Sequence, residues 1–235
     1  MKKGKKVQSV DIIIPVYNEE DTIENIIDVV DNVDFCGLKK NLIIVDDCST
    51  DSTRSILKKY EDKFKIIYKD KNGGKGSAVS IGFKNATSDI VVIQDADLEY
   101  DPNDYAKLIN LIIQDDADAV YGSRFKGAPF KNFMFLSYVA NRFLTSLTNI
   151  LYGTKLTDME TCYKAIKREF IQGIDIKSKK FDIEPEITAK LVKKGAKIKE
   201  LPIGYNARNY ASGKKITYKD GIMAIFALIK YKFTD

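Results

Sequence analysis

Two carboxylates one residue apart, Asp95 and Asp97, directly follow the apolar run Asp89-Ile90-Val91-Val92-Ile93. That run reads as a buried parallel strand. The acids therefore stand at a strand's carboxyl end, where open α/β sheets gather their ligands. Side chains at this spacing can face one cleft and share a hard cation through oxygen. A divalent ion held there can carry a diphosphate and stabilise its charge as it leaves. The plainer reading of the same pair is a solvated loop or a helix cap. Asp101-Pro102, just beyond it, has the form of a helix start.

The elements around these acids alternate. Val10–Val16 is a strand, and Ile23, Ile26, Ile27, Val30 and Val33 mark one face of a helix. Strands are predicted over 41–46, 64–68, 89–93 and 117–121, with helices over 49–60, 77–85 and 102–114 between them. Repeated βα units of this kind argue a mostly parallel sheet with helices on both faces. The second half is less regular. Helices are predicted over 132–152, 183–194 and 217–233, and strands over 160–167 and 196–205. The length of 235 residues suits one domain, with a first half of about 7–125 and a second of about 126–235.

Composition narrows the chemistry. The chain has no histidine, which excludes His-based triads, His-ligated zinc and imidazole bases. Proton transfer falls to carboxylates, Lys, Tyr or Cys. The three cysteines, Cys36, Cys48 and Cys162, have no zinc spacing and suit a reducing cytoplasm. A net charge of +5 without an aromatic-laced basic stripe argues against nucleic acid. No signal-peptide pattern is present, and no apolar stretch approaches the roughly 20 residues of a membrane span.

Three further groups fall at strand ends. Tyr17 and Glu19, in Pro15-Val16-Tyr17-Asn18-Glu19, can stack on a base and accept hydrogen bonds from base or ribose; the alternative is a capped helix start. Asp46 and Asp47 can receive base or ribose donors, although Ser49-Thr50-Asp51 beside them is ordinary capping chemistry. Gly74-Lys75-Gly76 lacks the Walker spacing, so it is not a P-loop.

As an ordered set these segments resemble the inverting family 2 GT-A glycosyltransferases, in particular the dolichyl- and undecaprenyl-phosphate sugar transferases. The matching pieces are Pro15–Glu20, Asp46–Asp51, Asn72–Gly76, Gln94–Asp97, Gly122–Phe125, Leu156–Lys164 and Phe181–Glu186. The resemblance implies a GT-A, Rossmann-like α/β fold spanning about residues 10–232, closed by C-terminal amphipathic helices. It implies that Pro15, Tyr17, Glu19, Asp46 and Asp47 hold the nucleoside of a nucleotide sugar, with Lys75, Asp95 and Ala96 alongside. It places Mg2+ or Mn2+ on Asp95 and Asp97, with Glu99 where mannosyl members often carry Gln as a further ligand. Arg124 is expected near the diphosphate or the acceptor.

The acceptor separates two mechanisms. A polyprenyl phosphate attacks without a base and needs cations to hold it; Arg124, Arg142, Arg208, Lys214 and Lys215 are the candidates. A saccharide hydroxyl needs a carboxylate base, for which Asp158 and Glu160 are the candidates. A third reading is a non-catalytic nucleotide- or lipid-phosphate-binding partner of a membrane complex. The apolar run Gly221–Ile229, flanked by Lys214, Lys215, Lys219, Lys230 and Lys232, suits a helix lying in an anionic membrane surface. A helix buried against the core is the alternative. Because relatives often continue into transmembrane helices, the expected location is the cytoplasmic face of a membrane, peripheral or beside a membrane-embedded partner.

Overall fold

The computed structural model describes residues 7–127, 135–206 and 218–234. In chain order the elements are β1 (Ser9–Val16), α1 (Ile23–Asn32), β2 (Lys39–Asp46), α2 (Thr53–Leu57), β3 (Lys65–Tyr68), α3 (Lys75–Asn85), β4 (Ile90–Ile93) and α4 (Tyr105–Ile113). Then come β5 (Ala119–Ser123), α5 (Arg124–Gly127), α6 (Phe135–Tyr152), β6 (Lys164–Lys167), α7 (Arg168–Ile171), α8 (Ile183–Lys193), β7 (Ile198–Pro202) and α9 (Tyr218–Phe233).

The strands form one sheet in the order β3-β2-β1-β4-β6-β5-β7. All neighbouring pairs are parallel except the two made by β6, which runs antiparallel to β4 and to β5. Alternation along each strand sends side chains to opposite faces. Ile12 and Ile14 of β1 pack with Ile23, Ile26 and Ile27 of α1 and Leu108 and Ile109 of α4. Ile13, between them, packs on the other face with Ala78 and Val79 of α3, Ile183 and Ile187 of α8, and Leu228 of α9. The helices therefore cover both faces, as the βα alternation predicts.

Pro15 lies in a central strand, where a missing N–H is normally costly. Here β1 pairs with β4 only over Val10–Ile13, so Pro15 is past the last shared rung. On its other side β1 stays paired with β2, Pro15 with Val45 and Val16 with Asp46, so the missing N–H costs no rung.

Several boundaries differ from the sequence reading. α2 begins at Thr53 rather than near 49, because Ser49 and Thr50 are bonded to Asn18 instead of to a helix: Asn18 N–H donates to Ser49 Oγ at 3.0 Å, and Thr50 N–H donates to Asn18 Oδ1 at 2.8 Å. β5 is shifted to 119–123, which sets Arg124 directly at its carboxyl end. The predicted strand over 160–167 shortens to β6, and its first residues become a loop at the carboxyl ends of β4 and β5.

Candidate active site

Three of the five non-glycine residues with positive φ among the described residues, Asn18 (52°), Cys48 (66°) and Leu98 (60°), follow β1, β2 and β4. Strain of this kind costs on the order of 1–3 kcal/mol per residue and gathers at functional sites. It marks one cleft, at the carboxyl ends of the parallel strands.

On the β1–β2 side, several residues are spent on holding loops. Glu19 Oε2 accepts from Thr22 Oγ1 at 2.9 Å, while the start of α1 itself takes no side-chain cap from Thr22. Asp46 is fully buried and takes Arg54 Nε at 2.6 Å and Ser49 N–H at 3.2 Å. Those bonds order the loop after β2, and this is where the structure places the expected nucleotide contact Asp46. Asp47 accepts from the N–H groups of Gly73 (2.9 Å) and Gly74 (2.6 Å) and pairs with Lys69. That knot ties the glycine turn to the end of β2. Gly74 needs its φ of 82°, and a Cβ there or at Gly76 would stand 2.4 Å from the carbonyl oxygen of Lys179 or Ser178. The glycines therefore let the 178–179 segment lie directly on the first turn of α3, and this sets α8 beside Lys75.

Lys75 Nζ lies 2.7 Å from Asp95 Oδ1 and 3.0 Å from Oδ2, 2.7 Å from Cys162 Sγ and 3.6 Å from Glu184 Oε1. Burial alone would lower the ammonium's pKa, but Asp95, then Cys162 and Glu184, outweigh it and hold it well above its ordinary value. Burial likewise pushes Asp95 upward, and Lys75 overrides it and keeps the carboxyl below its usual value. Ala96 is buried in the core, so the intervening methyl packs inward and does not line the cleft. Asp97 Oδ1 accepts the N–H of Glu99 at 3.2 Å. Glu99 Oε2 accepts from Tyr205 Oη at 2.9 Å, and its carbonyl from Asn206 N–H at 2.9 Å. Among the described residues no three potential ligands gather as a metal set. Mg2+ asks a protein for only one or two carboxylates, with phosphate and water supplying the rest. The ammonium on Asp95 shows that this carboxylate accepts a cation, and the hard oxygen pair Asp95 and Asp97 fits Mg2+ or Mn2+.

On the β5–β7 side, Arg124 and Asp158 form a buried fork. Nε and Nη2 donate to the two carboxylate oxygens at 2.8 Å each, and Arg124 N–H donates at 3.0 Å. Asp158 is 0% exposed. Its loop is held in turn by Glu200, which accepts the N–H groups of Thr157 and Asp158, and by Arg142 Nη1, which donates to Thr157 O at 3.0 Å. The guanidinium lies 5.3 Å from the ring centre of Tyr205, beside the stacked pair Tyr100 and Tyr163. Glu160 Oε1 is buried with no hydrogen-bond partner among the described residues. Burial, reinforced by Glu184, pushes its carboxyl up to about 8. Arg208, Lys214 and Lys215 lie outside the described residues.

The sequence reading gave no individual role to Glu184, Lys164, Glu200 or Tyr205. For Glu184 and Lys164 the visible signal was charge in apolar surroundings, in Ile183-Glu184-Pro185 and Tyr163-Lys164-Ala165.

Similar proteins bear on this geometry. A dolichol-phosphate mannosyltransferase of Pyrococcus furiosus is 32% identical over 95% of this chain; the chain spans 64% of that protein's length. A UDP-N-acetylglucosamine–dolichyl-phosphate N-acetylglucosaminyltransferase of Methanococcus voltae is 30% identical over 94% of this chain and 95% of its own. In fold, the chain matches glucosyl-3-phosphoglycerate synthase of Mycobacterium tuberculosis, solved with Mn2+, uridine diphosphate and phosphoglyceric acid. The TM-score is 0.74 at 18% identity, covering 97% of this chain and 80% of that one. That likeness gives the fold, which is GT-A. Residues 11–174 match the model of glycosyl transferase family 2, and the chain belongs to that family.

Proposed function

We propose that the chain transfers a hexose, with inversion, from a nucleotide diphosphate sugar of the UDP-glucose or GDP-mannose type to a polyprenyl phosphate, using Mg2+ or Mn2+. One observation carries the choice of acceptor: Asp158, the first candidate base, holds Arg124 with both carboxylate oxygens. Glu160 has one oxygen buried without a hydrogen-bond partner among the described residues and a carboxyl pushed up to about 8 by that burial. A saccharide hydroxyl must shed a proton as it attacks. A phosphate monoester arrives ionised and asks only for fixed positive charge. Arg142, Arg208, Lys214 and Lys215 are the candidates for it, together with Arg124, whose charge is shared with Asp158. The two relatives named for dolichyl phosphate support this reading.

On the donor side, Asp95 and Asp97 would hold the cation, which supplies charge stabilisation for the departing nucleoside diphosphate. Pro15, Tyr17 and Glu19 would meet the nucleoside, and Asp47 would act by fixing the turn that carries Lys75.

The surface supports a lipid setting. Of the ten exposed large apolar side chains among the described residues, nine lie on α6 and α9. On α9, Ile222, Phe226, Ile229 and Phe233 share one stripe, while Ala224, Ala227 and Leu228 face the core. Lys230 and Lys232 follow the stripe. Among the described residues no helix is long and apolar enough to cross a membrane, so the stripe would rest on the bilayer surface, with basic side chains toward anionic headgroups.

The test is transfer from UDP-glucose and GDP-mannose with Mn2+ to a short polyprenyl phosphate and to a panel of oligosaccharides, using wild type, Asp158→Asn and Glu160→Gln. Lipid-phosphate turnover with Glu160→Gln within about threefold of wild type is expected. Saccharide turnover alone, reduced a hundredfold or more in either variant, would overturn the reading.

A further inference from the structure

Buried polar atoms almost always find a hydrogen bond, and one that does not calls for an explanation. Glu184, in the first turn of α8, is 3% exposed. Its Oε2 takes Lys164 Nζ, which is itself fully buried and also donates to the carbonyls of Met159 and Thr161. Its Oε1 is buried and has no hydrogen-bond partner among the described residues. That bare oxygen lies 3.6 Å from Lys75 Nζ, just beyond hydrogen-bond range, while Lys75 rests on Asp95 at 2.7 Å. One ammonium thus faces two carboxylates, one engaged and one less than about 1 Å short of engagement.

We infer that Glu184 is a second seat for Lys75: when a divalent cation takes Asp95, the ammonium moves onto Glu184 Oε1. This rests on the donor-site reading above, in which Asp95 meets the cation. Two positive charges cannot share one carboxylate in a partly desolvated cleft without strong repulsion. The side chain of Lys75 is only 12% exposed, so water offers it little refuge. Lys164 pins the far oxygen of Glu184, and the contact of residues 178–179 on Gly74 and Gly76 fixes the separation of α8 from α3. The seat is therefore held at a set distance whether or not it is in use. Glu184 is a positioning residue that acts through Lys75, and it sets how readily Asp95 is released to a cation.

The test uses the full chain and calorimetric titration with Mn2+ alone, and with UDP and GDP in Mn2+. The variants are Glu184→Gln, Lys75→Met and the Lys75→Met/Glu184→Gln pair. Glu184→Gln is expected to weaken Mn2+ binding about tenfold, and to change it less than twofold when Lys75 is already Met, because the seat then has no occupant. Glu184→Gln strands the buried Lys164. Should that variant fail to fold, the Glu184→Gln/Lys164→Met pair, which removes both partners, is titrated in its place and compared with Lys164→Met alone. Wild-type Mn2+ affinity without Glu184, or an equal loss in the Lys75→Met background, would make Glu184 a purely structural counter-ion and overturn the inference. A wild type that binds neither Mn2+ nor either nucleotide with it would overturn the donor-site reading, and the inference with it.

Discussion

Glu160 carries its functional information in a proton. Its carboxyl stands at about 8 in the folded chain against an ordinary 4.5. The folded state therefore keeps a proton that the unfolded chain gives up above about pH 4.5. Stability should fall as pH rises from there through about 8 and level off beyond. Glu160→Gln copies the neutral acid and should flatten that part of the curve, by on the order of a few kcal/mol, since each unit is worth about 1.4 kcal/mol. Chemical denaturation of both proteins at pH 5, 7 and 9 checks this; parallel curves would mean that Glu160 is ionised throughout. Asp97→Asn is the other decisive single change. It removes charge at almost constant volume, so the melting temperature should hold while transfer drops by several kcal/mol of leaving-group stabilisation. Wild-type turnover that survives excess EDTA would sink the metal assignment.

At the level of elements, the loops at the strand ends are braced by the same residue types that a ligand would use, and this limits what the sequence could say. The βα alternation, the helix face Ile23–Val30 and the strand-end position of Asp95 and Asp97 were all legible, because hydrophobic period and strand length encode them. Whether an acid faces a ligand or a backbone N–H is decided by contacts many residues away. Asp47 is bonded to Gly73 and Gly74, and Asp158 to Arg124; nothing local in Asp46-Asp47 or Thr157-Asp158 announces either. The direction of β6 was illegible for the same reason: four residues carry no sign of their partners. Asp47→Ala leaves two backbone donors and Lys69 without their acceptor. It should cost about 1–3 kcal/mol of stability and, by loosening the turn that carries Lys75, weaken nucleotide binding as well. Denaturant melts and nucleotide titration of this variant should move together; a change in affinity alone would return Asp47 to direct ligand contact.

For the molecule as a whole, α6 and α9 combine two tasks. Each buries one face against the other and against α8 and exposes the opposite face, with Leu136 at 79% and Phe226 at 65% exposed. Burying a large apolar side chain in a lipid interface is worth roughly 1.5–3 kcal/mol. Phe143→Asp with Phe226→Asp should therefore lower binding to anionic vesicles by tenfold or more while leaving the melting temperature within a few degrees. Co-sedimentation with vesicles of mixed anionic and neutral lipid reads this out. Retained vesicle binding would locate the membrane contact elsewhere.

The reversed strand β6 has a consequence in time. It bonds to β4 through pairs such as Ile90 with Lys167, and to β5 through pairs such as Val120 with Ala165, so it joins parts of the chain that are made far apart. Closing such long loops costs entropy before any contact repays it. The first three strands, joined by short βα crossovers, can associate while β6 is still unplaced. The loop 156–162, with Asp158, Glu160 and Cys162, comes to order only when β6 docks. The donor side of the cleft should therefore gain protection from hydrogen exchange early in refolding. The floor that joins donor to acceptor should gain it last, leaving the nascent enzyme able to hold a nucleotide before it is able to use one.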